Sequence, residues 1–147
     1  MKIQNSIVGE VEFGEGDIVT FSEGMLGLPD YKHYVAIESA NLKPFLRLQC
    51  IDEPSIGFLT IDPAYIEAGY KDYVVAQDPG HVLIDEPEEI MLLVVCTVDE
   101  QGTNVTANLQ APVAINHRTM TGRQIILLES PYRLRQSLTA GARRREA

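Results

Sequence analysis

Three histidines, two cysteines and a set of scattered carboxylates are the residues with which this chain could do chemistry. His33, His81 and His117 could each serve as a base or a metal ligand, but none stands in an H-x-x-x-H or C-x-x-C setting. Cys50 and Cys96 sit inside the apolar runs FLRLQCI and LLVVCTV, surroundings that suit buried thiols in a reducing compartment rather than a disulfide framework. Asp52, Asp62 and Asp85 could pair for acid–base work, yet all three fall in turn and cap sequences. No G-x-S-x-G elbow marks a nucleophilic serine. The glycine-rich stretches GEG and GMLG lack both the lysine of a phosphate loop and the helix that should follow a dinucleotide loop, so Gly24 and Gly27 read as turn residues. The expectation is a binding protein that carries no catalytic residue, no metal and no cofactor.

Charge points the same way. Up to Pro131 there are seven Lys and Arg against twenty Asp and Glu, a net of −13; from Tyr132 onward five arginines face one acid, a net of +4. Phosphate would be repelled over most of such a surface, which argues against nucleic acid and suits a basic protein partner, or acids that serve only solubility. The first residues contain acids where a secretory signal needs an apolar stretch, and no segment has the ~18 apolar residues of a membrane span. A cytoplasmic protein is expected.

The elements that must position any binding residues read as short strands. Apolar residues alternate at Leu46, Leu48 and Cys50 and again at Val105, Ala107 and Leu109, while Ile125 to Leu128 are apolar on both parities. Further strands are expected at 2–8, 10–13, 17–21, 33–38, 56–61, 72–77 and 81–84, separated by turn sequences such as GLPD, DEPS and EQGTN. Ile90 to Val98 is apolar throughout, as a strand covered on both faces should be. The fold class is therefore all-β and mainly antiparallel, a partly open barrel or a sandwich with short helices. Those helices are expected after Asp62-Pro63, where Gly69 would end the first, at Asp85 to Glu89, and at the C-terminus. There Ser130 and Pro131 would open a helix with Leu134 and Leu138 on one face until Gly141. Residues 1–140 make one domain, and 141–147 are expected to be a disordered basic tail.

Four segments remain distinctive: FSEGMLGLPDYKHY (Phe21 to Tyr34), PFLRLQCIDEPSIGFLTIDP (Pro44 to Pro63), TANLQAPVAIN (Thr106 to Asn116) and GRQIIL (Gly122 to Leu127). In order and spacing they resemble the signature blocks of the bacterial flagellar assembly factor family, FliW, including its final G-x-Q strand. One departure is Leu28, which stands where the family's pattern has an aromatic. The resemblance implies a protein that binds flagellin in the cytoplasm. Once flagellin is exported, it binds and antagonises the translational regulator CsrA, by an allosteric, non-overlapping mode, and so relieves repression of flagellin translation. A rival reading is a small β-barrel ligand-binding or carrier protein with no regulatory partner.

Candidate contact residues come in four groups. Phe45, Arg47 and Gln49 share one strand face, which is either a recognition patch or a plain strand exterior. Asp85, Glu86, Glu88 and Glu89 form either an acidic contact or a solvated turn. Pro112, with no N–H, fits an edge, a bulge or a corner; Asn108 and Asn116 flank it and either satisfy the backbone there or touch a ligand. Tyr132 and Arg135 belong to the C-terminal segment, which is expected to dock on the protein's own body. Deleting residues 141–147 should leave the thermal midpoint unchanged, and a fall of several degrees in a melting experiment would show instead that the tail packs.

Overall fold

The computed structural model describes residues 1–5, 9–78, 80 and 83–138. Eleven strands and one α-helix follow one another as β1 (Lys2–Asn5), β2 (Gly9–Glu12), β3 (Ile18–Phe21), β4 (His33–Ile37), β5 (Phe45–Cys50), β6 (Gly57–Ile61), α1 (Tyr70–Ala76), β7 (Ile90–Val98), β8 (Val105–Ala107), β9 (Val113–Asn116), β10 (Thr121–Gln124) and β11 (Gln136–Ser137). The strands β3 to β7 form an antiparallel meander, and β9 and β10 return the chain to its beginning. There β10 pairs in parallel with β3, Thr121 opposite Thr20, while β9 pairs with β7, so the ring β3-β4-β5-β6-β7-β9-β10 is closed.

Strand β7 is the seam of this barrel. One side pairs with β6; the other serves β9 along Ile90 to Leu93 and β8 along Cys96 to Val98. Between those two partners, Asn108 to Pro112 span only Val94 and Val95, so the chain gains three residues and bulges outward. Pro112 stands where the ladder resumes, the corner its missing N–H suggests. The bulge is not left unpaired: Asn108 N–H reaches the Val95 carbonyl, and the Pro112, Gln110 and Leu109 backbone groups bind Ile125, Leu127 and Arg133.

Three apolar clusters hold the fold. The barrel interior is filled by Val19, Phe21, Tyr34, Leu48, Cys50, Leu93, Val113 and Ile115. Gly122 faces this interior, where an added Cβ would lie within 2.7 Å of three Phe21 ring atoms, so only glycine lets β10 close against β3. Outside, α1 and the C-terminal segment cover β7 and β9, and the β1–β2 hairpin covers Val35 and Ile37. Because β7 is covered from both sides as far as Cys96, its apolar run has the two-faced burial expected of it. Both cysteines are free and buried.

Several expectations fail for physical reasons. Residues 72–77, rich in β-formers, are the end of α1 and its C-cap, Gln77: Tyr70 and Val74 lie four apart and are both 1% exposed, so packing on the barrel overrides intrinsic propensity. Gly69, at φ 82°, is the residue before that helix and does not end one; the turn opened by Asp62 is a single 3-10 turn, Pro63–Tyr65. Leu83 and Ile84 are not strand, because the Asp78 carboxylate accepts their N–H groups at 2.9 and 2.6 Å; His81 and Val82 lie outside the described residues. Ile125 to Leu128 lie beyond β10, with Ile125 and Leu127 buried and Leu128 80% exposed.

The expected C-terminal helix is likewise not formed among residues 130–138. Ser130 does cap a turn, its Oγ accepting from Tyr132 N–H at 3.0 Å, but the chain then passes through a bend and a second turn, and β11 pairs with β8. An open edge of β8 offers backbone partners that a solvated two-turn helix would leave unused. The tail expected at 141–147 lies outside the described residues.

Tyr34 carries one conflict inside the barrel. Its ring lies edge-on to Phe21 at 5.3 Å and it is wholly buried, yet its hydroxyl finds no hydrogen-bond partner among the described residues, and burial pushes its pKa up to about 12. Tyr34→Phe keeps the ring and removes the unsatisfied group, so chemical denaturation should show stability unchanged or raised by about 1 kcal/mol. A loss above about 2 kcal/mol would show that the hydroxyl is bonded in solution.

Candidate functional site

The acidic turn is the most exposed of the four candidate groups. A 3-10 turn at Pro87–Glu89 leads into β7, and Glu86, before it, takes a left-handed φ of 57° that a non-glycine residue rarely adopts. This reversal pushes Asp85, Glu86 and Glu88 into solvent. A hydrogen bond and charge from Glu88, with Asp85 and Glu89 nearby, hold the Glu86 carboxyl above its usual range. Glu89 behaves oppositely. Arg118 Nε donates to it at 2.6 Å and Asn116 Nδ2 at 3.3 Å, and the Arg118 bond is the main cause that lowers its pKa. A lowered carboxylate stabilises the fold above its unfolded value near 4.5 and loses that contribution as pH falls through its folded value. Glu89 is therefore a fixed anchor, while Asp85, Glu86 and Glu88 stay exposed, with Arg118 near enough to feel Asp85 and Glu86.

Asn116 and Asn108 do structural work. Asn116 Oδ1 accepts from Arg118 and Thr119 N–H groups at 2.9 and 3.0 Å, closing the β9–β10 hairpin, and Asn108 Oδ1 accepts from Gln110 N–H at 2.9 Å inside the bulge. Two amides that sequence reasoning passed over share this task. Gln110 Nε2 donates to the Tyr132 carbonyl at 3.1 Å; Gln124, the glutamine of G-x-Q, donates to the Ala111 carbonyl at 3.0 Å and accepts from Leu26 N–H at 2.9 Å. Gln124 sat in a motif, but nothing in its spacing reveals a partner ninety-eight residues away in the chain.

Phe45, Arg47 and Gln49 do not make an exposed patch. Their face is the outside of the barrel, but it is covered: Arg47 is 7% exposed and Gln49 is 0% exposed. Gln49 Nε2 donates to the carbonyls of Cys50, Pro54 and Ile56 at 2.8 to 3.0 Å, and its Oε1 accepts from Arg47 Nε at 2.9 Å. Burial lowers the Arg47 pKa. The guanidinium lies flat over Gly57, where any Cβ would collide with it. Phe45 is half-buried against the outer cluster. Gln49, held by Arg47, builds the β5–β6 loop from below, and a partner cannot reach Gln49.

The C-terminal segment docks on the body, as expected, through Tyr132, whose ring meets Tyr70 and Tyr73 edge-on at 4.9 and 5.0 Å. Arg135 is exposed. Glu89 thus joins the acidic turn to Asn116, and Gln110 joins the Asn108–Pro112 bulge to Tyr132. Among the described residues no three His, Cys, Asp or Glu side chains converge as a metal site, and no helix is long and apolar enough to cross a membrane.

Comparison with known proteins places this architecture. Residues 2–138 match the family described as FliW protein. The flagellar assembly factor FliW of Geobacter sulfurreducens is 31% identical over 132 residues, covering 90% of this chain and 82% of its own. That of Natranaerobius thermophilus is 34% identical, covering 94% and 92%. A crystal structure of the flagellar assembly factor FliW superposes with a TM-score of 0.79 at 31% identity, covering 95% of this chain and 97% of that one.

A test of the buried amide–guanidinium pair follows from its geometry. Gly57→Ala should cost about 1–3 kcal/mol by overpacking, a fall of roughly 2–9 °C in thermal midpoint for a domain of this size. Adding Arg47→Met should recover part of that loss, because the clash partner is gone; strict additivity of the two changes would show that they do not touch.

Proposed function

Because the chain belongs to the flagellar assembly factor family, FliW, we propose that it acts as a stoichiometric binding protein in the cytoplasm, holding flagellin and, when flagellin has been exported, CsrA. In this reading the two partners exchange, and relief of translational repression follows from sequestration without any covalent step. A regulator that binds RNA must present basic surface, and it would meet this protein beside its RNA site. The observation that carries the reading is the exposed acidic turn Asp85–Glu86–Glu88, held out from the barrel by the Glu89–Arg118 anchor in a chain of net charge −9. Such a turn speeds encounter with a cationic partner and rejects anionic ones.

Calorimetric titration with CsrA, before and after saturation with flagellin and at two salt concentrations, tests the exchange. Salt-sensitive binding that flagellin abolishes is the expected result, and no heat with both proteins folded removes the regulatory reading. Within that assay, Glu86→Lys combined with Glu88→Lys should weaken CsrA binding roughly tenfold at low salt, with the difference shrinking as salt rises. Glu89 is left intact because its replacement would also break the anchor. Equal affinities at low salt would exclude the turn as a contact.

A further inference from the structure

Tyr34 and Ala36 project from the same side of β4, toward the barrel interior. Tyr34 is sealed in, but Ala36, two residues on, is exposed. The interior is therefore open at this end of β4. A cavity of about 450 Å³ occupies the mouth. Apolar side chains of Met91, Ile115 and Met120 line it, and the exposed carboxylates of Glu12, Asp17 and Glu38 stand around it. No lysine or arginine lines it among the described residues; Lys2 reaches Glu12 from outside, at 3.5 Å, and divides itself between Glu12 and Glu10.

The mouth and the acidic turn are neighbours, although Asp85 lines a separate hollow beside Arg118 and Arg123. His117 lines the cavity, and its N–H donates to the Glu89 carbonyl at 3.3 Å, so the turn carrying Asp85, Glu86 and Glu88 abuts the rim. An apolar socket of this size is ordinary for side-chain or ligand recognition, and methionine linings adapt to more than one apolar shape. What is unusual is its setting, a ring of carboxylates continued by three more on the adjoining turn. Transfer of an anionic or neutral group into the field of the rim gains nothing electrostatically, whereas a cationic segment is favoured by Glu12, Asp17 and Glu38; on the turn Arg118, bonded to Glu89 and facing Asp85 and Glu86, offsets part of the acidic charge.

We propose that the open barrel mouth is the anchoring socket for a basic protein partner: one large apolar side chain of that partner inserts between Met91, Ile115 and Met120, while flanking lysines or arginines meet Glu12, Asp17 and Glu38. The proposal rests on the functional reading above, in which one partner is a basic regulator, and it assigns to that partner a docking point that the acidic turn alone does not supply. The turn governs encounter; the socket holds what has arrived.

The test uses the full chain and purified CsrA as the probe. Ala36→Trp fills the mouth from an exposed position, and its fold can be verified by circular dichroism and thermal melting. Asp17→Asn with Glu38→Gln discharges the rim, and Glu67→Gln with Glu100→Gln removes the same charge from exposed positions that do not line the mouth. Wild-type protein and the control pair should bind CsrA alike, Ala36→Trp should lose at least tenfold in affinity, and the rim variant should lose affinity together with part of the salt dependence. If folded Ala36→Trp binds as the wild type does, the socket is wrong and the functional reading stands. If only self-association changes on gel filtration, the mouth contacts a second copy and the proposal is likewise overturned. Wild-type protein that does not bind CsrA at all removes the functional reading, and the socket with it.

Discussion

Strand β7 must satisfy two ladders on one edge, and the architecture follows from how it does so. A nine-residue strand buried on both faces cannot leave its N–H and C=O groups unpaired, since each orphan would cost on the order of a hydrogen bond's desolvation. One partner on that edge would have continued as a flat sheet. Instead the returning chain pairs as β8, gains three residues, and pairs again as β9. The bend this introduces turns β9 inward and lets β10 reach β3, which closes the barrel. The same bulge exposes backbone groups that hold residues 125–133 against the outside, so that Tyr132 reaches Tyr70 and Tyr73.

The polar groups taken out of water are matched to backbone rather than to one another's charge. Gln49 holds three carbonyls, Asp78 holds two N–H groups and Asn116 two more, each fixing a loop that departs from regular structure. Arg47 brings a positive charge into the outer layer, where it is tied to the Gln49 amide and packed on a glycine. The exposed acids stand on these fixed loops, since Asn116 bonds Glu89 and Asp78 holds the two residues before Asp85, and the family's name, flagellar assembly factor, fits a protein whose exposed chemistry is charge and shape.

Period-two patterning was enough to find β3 to β7 nearly in place, because alternation and turn chemistry are local signals. The all-β class and the two-faced burial of β7 were legible for the same reason. What was not legible depended on partners distant in sequence. Tyr70 to Ala76 has the composition of a strand and is a helix because its tyrosines find Leu109 and Tyr132. Residues 130–138 have a good cap and a helical spacing, yet pair with β8, whose open edge no local reading reveals. Arg47 and Gln49 looked like an exposed pair, since alternation tells which residues share a face but not what covers it. The acidic turn could be read because charge density needs no partner to be visible, while the mouth beside it requires strands from four parts of the chain.

The parallel pairing of β3 with β10 has a temporal meaning as well as a geometric one. Thr20 N–H bonds to the Met120 carbonyl, and Phe21 packs on Gly122, so the strand formed near the start of the chain waits for one formed near its end. During synthesis the meander β3 to β7 can assemble on the ribosome, but its β3 edge stays unpaired until β10 has emerged, even after β8 and β9 have covered the edge of β7. Ile115 and Met120 arrive with those last strands, which means that a nascent or truncated chain displays acids without the mouth they surround.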